Sequence, residues 1–263
     1  MLVCCGSVLL ALLMIGPDLQ AHHEAIFGPQ SSTLISQKRF VSTQYYLTNQ
    51  GRRPSPRSRS HIGILSVGTS FNDRWGVSVT LPFEAERDSA QESATGVQDV
   101  VVGIRYYPQV RRNRSLMAVL TLEPPTGNLE HRSFGVGGGV LYGVEWRHWS
   151  VLAYGLGRTE SSFETGEKRG NRLFLGGGLG YESRGWPFSP QVGLSWEKTG
   201  RSREEGMLLP ESRTSALMVH PTLSREIGRS LQTFVVVSMP VVQDSGREGW
   251  QRFRIAAGMV WHF

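Results

Sequence analysis

The sequence predicts an all-β protein, an antiparallel transmembrane β-barrel of about 12 strands with both termini periplasmic. Three observations carry this. Apolar and polar residues alternate with period two in segments of about ten residues, the length of a tilted strand crossing a bilayer. The connections between them alternate short and long. The chain ends on such a segment, running from about Trp250 to an aromatic terminal residue, Phe263.

The opening apolar run, Met1 to Gly16, has a core (Val8 to Ile15) that is signal-peptide sized and too short to span a bilayer as a helix. Residues 1–21 are expected to be a removed export signal cut after Ala21, although no Lys or Arg precedes the apolar run. Cys4 and Cys5 both lie in this segment, ahead of its apolar core. The expected mature chain therefore has no disulfide, thiolate metal site or cysteine nucleophile. Loss of Asp18 raises the formal charge from +6 by one unit. A basic balance suits nucleic acid, a membrane surface or anionic solutes, and export removes the first. Residues 22–37 are expected to form a periplasmic segment with the option of entering the lumen, and 38–263 the barrel.

Twelve strands are expected near 38–48, 60–71, 74–84, 97–107, 115–123, 133–146, 148–158, 170–182, 188–198, 213–225, 229–242 and 250–263. In the third, Trp75, Val77, Val79, Leu81 and Phe83 share one face. In the fourth, Val100, Val102, Ile104 and Tyr106 oppose Asp99, Gly103, Arg105 and Tyr107. In the ninth, Val192, Leu194 and Trp196 oppose Gln191, Gly193, Ser195 and Glu197. The faces of the first, second and seventh do not separate. Aromatics cluster near strand ends, as two interfacial girdles require. A soluble β-sandwich would also alternate but has no reason to place them there.

In the last strand Phe253, Ile255, Ala257, Met259 and Trp261 form the expected lipid face, with Arg252, Arg254 and His262 opposite. Phe263, Trp261 and Met259 are the expected assembly signal, read by strand addition to an exposed edge. Inward glycines recur in the sixth strand (Gly135, Gly137, Gly139, Gly143) and the eighth (Gly176, Gly178, Gly180). Curvature is the preferred reading, ahead of an N-terminal segment packed against them. No helix follows them, so they form no phosphate loop.

The inward charged or polar candidates are Asp99, Arg105, Glu123, Glu145, Arg172, Glu197, His220, Arg252 and Arg254. Their mixed signs suit a modestly selective pore or a salt-bridged, closed interior. Solvation and packing are the plainer role of each. Of the seven histidines, only the adjacent His22 and His23 offer a weak divalent-metal site, without a third ligand at useful spacing. Ser58, Ser60 and His61 are near in sequence, but successive strand residues point to opposite faces. No nucleophile elbow or zinc-protease motif is present. Neither an enzyme nor a cofactor is expected.

Two stretches resemble a known family. Gly96-Val97-Gln98-Asp99-Val100 opens a strand ending in Arg105-Tyr106-Tyr107, and Leu122-Glu123-Pro124-Pro125-Thr126-Gly127-Asn128 ends the next. Together they resemble the Gly-x-Gly-Asp-Val and Pro-Thr-Gly-Asp signatures of the MetA-pathway phenol-degradation family of outer-membrane transporter-like barrels. Gln98 stands for the second glycine and Asn128 for the aspartate. The opening His22 to Pro29 is similar to the mature start of some members. The resemblance implies passage of small, aromatic or hydrophobic solutes and brings no catalytic residues. Asp99, taken as near a periplasmic strand end, is expected to pair with Arg252 or Arg105.

The expectation is thus a monomeric outer-membrane channel. Its partners are lipid and lipopolysaccharide, the assembly machinery and a small solute, without nucleic acid. The rivals are a closed-lumen structural or adhesion barrel and a membrane-embedded lipid hydrolase.

Overall fold

Period-two patterning is satisfied only if every alternating segment finds two neighbours and the sheet closes, since an open edge in lipid leaves backbone groups unpaired. The computed structural model meets this condition. It describes residues 39–51, 57–87, 93–111, 113–127, 133–161, 168, 170–182, 186–204, 207–209, 212–228, 230–245 and 250–263. The export signal, the 22–37 segment and the histidine pair His22 and His23 lie outside these residues.

The strands are β1 (Arg39–Gly51), β2 (Arg57–Ser70), β3 (Trp75–Arg87), β4 (Ser93–Val97), β5 (Val101–Arg111), β6 (Arg114–Glu123), β7 (Gly135–Trp146) and β8 (Trp149–Glu160). They continue as β9 (Arg172–Tyr181), β10 (Ser189–Thr199), β11 (Arg203–Glu204), β12 (Met207–Leu208), β13 (Thr214–Ile227), β14 (Leu231–Ser245) and β15 (Trp250–His262). Sequential strands pair antiparallel around the ring, and β15 closes it on β1 with Phe40 opposite His262 and Tyr45 opposite Ala257. The barrel has twelve staves. β4 adds no stave, because it and β5 both pair with β3, β4 along its far half and β5 along its near half. β11 and β12 form a separate hairpin in the β10–β13 connection.

Each of the twelve expected strands has its counterpart. The fourth differs, being split at Gln98 to Val100, where the chain leaves the ladder to engage a neighbouring loop. β5 also runs past the expected end at Tyr107 as far as Arg111. A register irregularity between Tyr106 and Gln109 accommodates Pro108, which cannot donate to a ladder.

One end of the barrel has tight turns. Asn72 Oδ1 accepts the N–H groups of Arg74 and Trp75 at 2.8 and 2.9 Å. Arg147, with φ of 56°, makes the two-residue turn between the paired Trp146 and Trp149, where the hairpin twist requires positive φ. The first and last strands begin and end there. The opposite end carries the longer connections.

The outside is apolar. Val79, Leu120, Val140, Val151, Leu175, Leu194, Val235 and Met259 are all exposed on it. A contiguous apolar belt of this kind belongs in lipid, not water. Aromatic pairs ring the short-turn end, with Trp75 against Tyr106 at 4.6 Å, Trp149 against Tyr181 at 4.8 Å and Trp261 against Phe263 at 6.0 Å. Toward the long-loop end the described aromatics thin out to exposed Phe83 and Phe134 and half-buried Trp196 and Phe253. Of the two expected girdles, one is dense and the other sparse.

Candidate functional site

The other set of alternate residues faces the barrel interior. In β15, Arg254, Ala256 and Val260 are buried while Ile255, Met259 and Trp261 are exposed. The interior is not uniformly polar. One apolar cluster, including Met117, Leu141, Leu152 and Tyr154, covers β5 to β8. A second, including Phe40, Tyr46, Ile64, Phe234 and Val260, covers β1, β2, β14 and β15. In ring order these two groups of strands lie on facing sides.

Interior glycines give these walls their fit. A Cβ on Gly176 would run into the Tyr154 hydroxyl, one on Gly139 into the Gly155 carbonyl and the Leu156 side chain, and one on Gly68 into the Phe40 ring. A Cβ on Gly137 would lie 2.6 Å from Thr121 Oγ1, and one on Gly135 would lie 2.9 Å from Arg158 Nη2. The bare positions are therefore sockets for large side chains on adjacent strands. This is a third role, beside the curvature and the packed N-terminal segment that the sequence suggested.

Polar stripes separate the apolar walls. On one side Ser66 and Thr80 share a hydrogen bond at 2.9 Å, and Glu84 accepts from Ser60 at 2.7 Å and from Gln98. On the other, His220 is wholly buried. Its Nε2 lies 2.8 Å from Ser195 Oγ and its Nδ1 2.9 Å from Ser238 Oγ. With Ser195 donating to Glu197, the ring Nε2–H donates to Ser195 and Nδ1 accepts from Ser238. Ser195 in turn donates to Glu197 at 3.3 Å, and Ser238 is register-paired with buried Arg254. The relay thus crosses β10, β13, β14 and β15 at mid-height.

Toward the long-loop end an ion network spans three strands. Arg158 meets Glu123 at 2.8 Å and Glu160 at 3.1 Å, and Arg172 approaches Glu160 at 3.9 Å. Each of these side chains is about nine-tenths buried or more. Buried charges of this kind are tolerable only in pairs.

The interior positions read from sequence fall as follows. Arg105, His220 and Arg254 are buried on the inner face, Arg172 and Glu123 join the ion network, and Glu197 ends the histidine relay. Glu145 is half-buried near the short-turn end. Arg252 occupies an inward strand position in β15, but its side chain lies outside the described set.

Asp99 departs from expectation. It sits toward the long-loop end, where its Oδ1 accepts the backbone N–H groups of Thr126 and Gly127, each at 2.7 Å, rather than an arginine. Thr126 Oγ1 accepts the Val100 N–H at 2.8 Å. The position was misjudged because the fourth strand begins at Ser93, above the point where the alternation becomes clear.

Sequence reading missed Arg158 and Glu160. They lie on β8, whose inner residues Leu152, Tyr154 and Leu156 are as apolar as its outer ones, so the alternation that would have placed them is absent. Glu84 was missed as well, although it shares the parity of Ser78 and Thr80 and was legible on that ground. Among the described residues no group of three or more His, Cys, Asp or Glu side chains is arranged to hold a metal.

No protein-family model matches the chain, and no curated protein does. Solved structures do. The COG4313 outer membrane channel from Pseudomonas putida F1 matches with a TM-score of 0.75 at 16% identity, over 86% of this chain and 96% of that one. The NanC porin matches with a TM-score of 0.56 at 11% identity, over 86% and 100%. The KdgM porin matches with a TM-score of 0.51 at 15% identity, over 84% and 99%. The barrel thus has the fold of these outer-membrane proteins, and with its apolar exterior it resides in the outer membrane. A translocator barrel also matches, the beta domain of the Bordetella autotransporter BrkA, with a TM-score of 0.56 at 12% identity over 86% and 100%. Architecture alone therefore does not name a cargo.

Proposed function

We propose that the protein is a monomeric outer-membrane channel for small apolar solutes, aromatic ones among them, and that it has no enzymatic activity. The carrying observation is the pair of apolar walls on facing sides of the interior. A barrel passing only water and ions has no need of them, and a hydrophobic solute does. Arg105, Arg172, Glu197, His220, Arg254 and Arg252 line or flank the path in this reading. Membership of the MetA-pathway phenol-degradation family is consistent with the clasp between its two signature stretches at Asp99, Thr126 and Gly127.

Both termini are periplasmic in this proposal, since the tight turns share their end of the barrel and outer-membrane barrels keep short turns in the periplasm. The chain would then be exported by residues 1–21 and captured by the assembly machinery through Phe263, Trp261 and Met259, with lipopolysaccharide around its outer rim. The hydrolase reading draws on the Ser195–His220 contact. A serine rather than a carboxylate faces the ring Nδ1, and both residues are fully buried in the wall. We therefore assign that contact to wall structure.

Planar-bilayer recording on the refolded full chain, paired with liposome uptake of phenol and of a sugar of similar size, tests the proposal. Step conductance with faster phenol entry is the expected result. A silent barrel excluding both solutes overturns it in favour of the closed structural barrel.

A further inference from the structure

Arg105 differs from the paired arginines of the interior. Arg158 and Arg172 have carboxylate partners, whereas among the described residues Arg105 has no carboxylate partner and its guanidinium is hydrogen-bonded only to the neutral Tyr107 side chain and a backbone carbonyl. Its side chain, on β5, reaches past β3 and β2 to lay its guanidinium 5.0 Å from the Phe40 ring of β1, above the bare surface of Gly68. Nη2 donates to the Val77 carbonyl at 2.9 Å. Nε and Nη1 have no acceptor, and the residue is 1% exposed. A guanidinium carries five N–H donors and does not shed its charge in a protein. Burying such a cation without an anion is costly, so the site is incomplete as the described residues build it. Beside it, Phe40 belongs to the apolar wall that includes Phe234 and Val260.

We propose that Arg105 is an anion subsite on the interior path, receiving the carboxylate of a small apolar acid whose hydrocarbon part rests on Phe40 and its wall. The carboxylate is the matching chemistry, being planar, singly charged and able to accept from a guanidinium in a short, charge-assisted bond. The Phe40 ring lies within cation–π range of the guanidinium, and Nε and Nη1 remain the donors a carboxylate would meet. This inference rests on the channel reading and names its substrate class: small aromatic or aliphatic monocarboxylic acids, carried as anions.

The test uses the full chain refolded in planar bilayers, with benzoate as the probe and benzyl alcohol as its neutral counterpart. Benzoate is expected to reduce the chloride current at concentrations about tenfold below those benzyl alcohol needs, a difference of one charge-assisted contact. Arg105→Gln should abolish that preference, while Arg105→Lys keeps part of it. An equal preference in wild type and Arg105→Gln overturns the proposal. If the wild-type barrel passes no current, the channel reading fails by itself, and equilibrium dialysis of benzoate against the micellar protein decides the subsite. Binding that is lost in Arg105→Gln supports it, and equal binding or none overturns it. Folding is followed by heat-modifiable gel migration. A variant that no longer folds would show Arg105 to be a structural strut, which also overturns the proposal.

Discussion

Asp99 and Gly127 are tied at 2.7 Å, the aspartate Oδ1 accepting the glycine N–H and, at the same distance, that of Thr126. A Cβ on Gly127 would lie 2.8 Å from the Gln98 carbonyl carbon, so the two stretches are in backbone contact and only glycine fits. Asp99→Ala removes two charge-assisted bonds, worth about 1.5–3 kcal/mol each when geometry is good. The expected outcome is a lower urea midpoint for the refolded barrel, with Asp99→Asn losing less because its amide oxygen still accepts. Conductance should change little, since the carboxylate serves a loop. A large change in ion selectivity with unaltered stability would instead place Asp99 on the path.

The barrel was legible from sequence because one face of most staves must be apolar, which imprints period two on residues such as Trp75, Val77 and Val79. Where the interior is apolar too, the signal vanishes. β8 carries Leu152, Tyr154 and Leu156 inward and Val151 outward, so its faces could not be separated and Arg158 went unread. Arg105, His220 and Arg254 were readable because each is a polar residue on a strand whose other face is clean. What each one touches was not readable. Register decides that Ser238 meets His220 and that Arg105 reaches Phe40, and register depends on the whole ring.

Gly68 offers a sharp test of the socket idea, because a Cβ there would meet side-chain atoms alone, those of Phe40 and Arg105, and more closely than at Gly135. Gly68→Ala is expected to cost about 1–3 kcal/mol by overpacking. Phe40→Ala in the same chain should recover much of that loss, a coupling that a double-mutant cycle of urea unfolding would read. Additive effects of the two substitutions would mean that the ring moves aside freely and that the socket is unnecessary.

The ion network predicts an asymmetric response. Arg158→Met leaves Glu123 and Glu160 without the guanidinium that both contact at about 3 Å, stranding charge in a buried wall. Loss of about 3–5 kcal/mol is expected for such a break. Adding Glu123→Gln, with Glu160 still facing Arg172, should restore much of the stability, because the unpaired charge rather than the lost attraction dominates the cost. Urea midpoints of the single and double variants check this, and a double variant no better than Arg158→Met would refute it.

Glu182, just beyond β9 at the short-turn end, allows a prediction on pH. Burial, and then the nearby Glu226, push its carboxyl above the usual carboxylate range, against a smaller opposing pull from His148. A carboxyl whose folded pKa is raised binds its proton more readily in the barrel than in the unfolded chain. Its ionised form is therefore a burden, present in full above the raised pKa and relieved as pH falls through it. Glu182→Gln should raise the unfolding midpoint at pH 8 and lose that advantage progressively as the medium is acidified toward the ordinary carboxylate pKa. The half-exposed setting and solvent screening keep the effect modest. Urea unfolding of both proteins across that pH interval checks the sign. A benefit that grows on acidification would show that the carboxylate is held by a favourable partner instead.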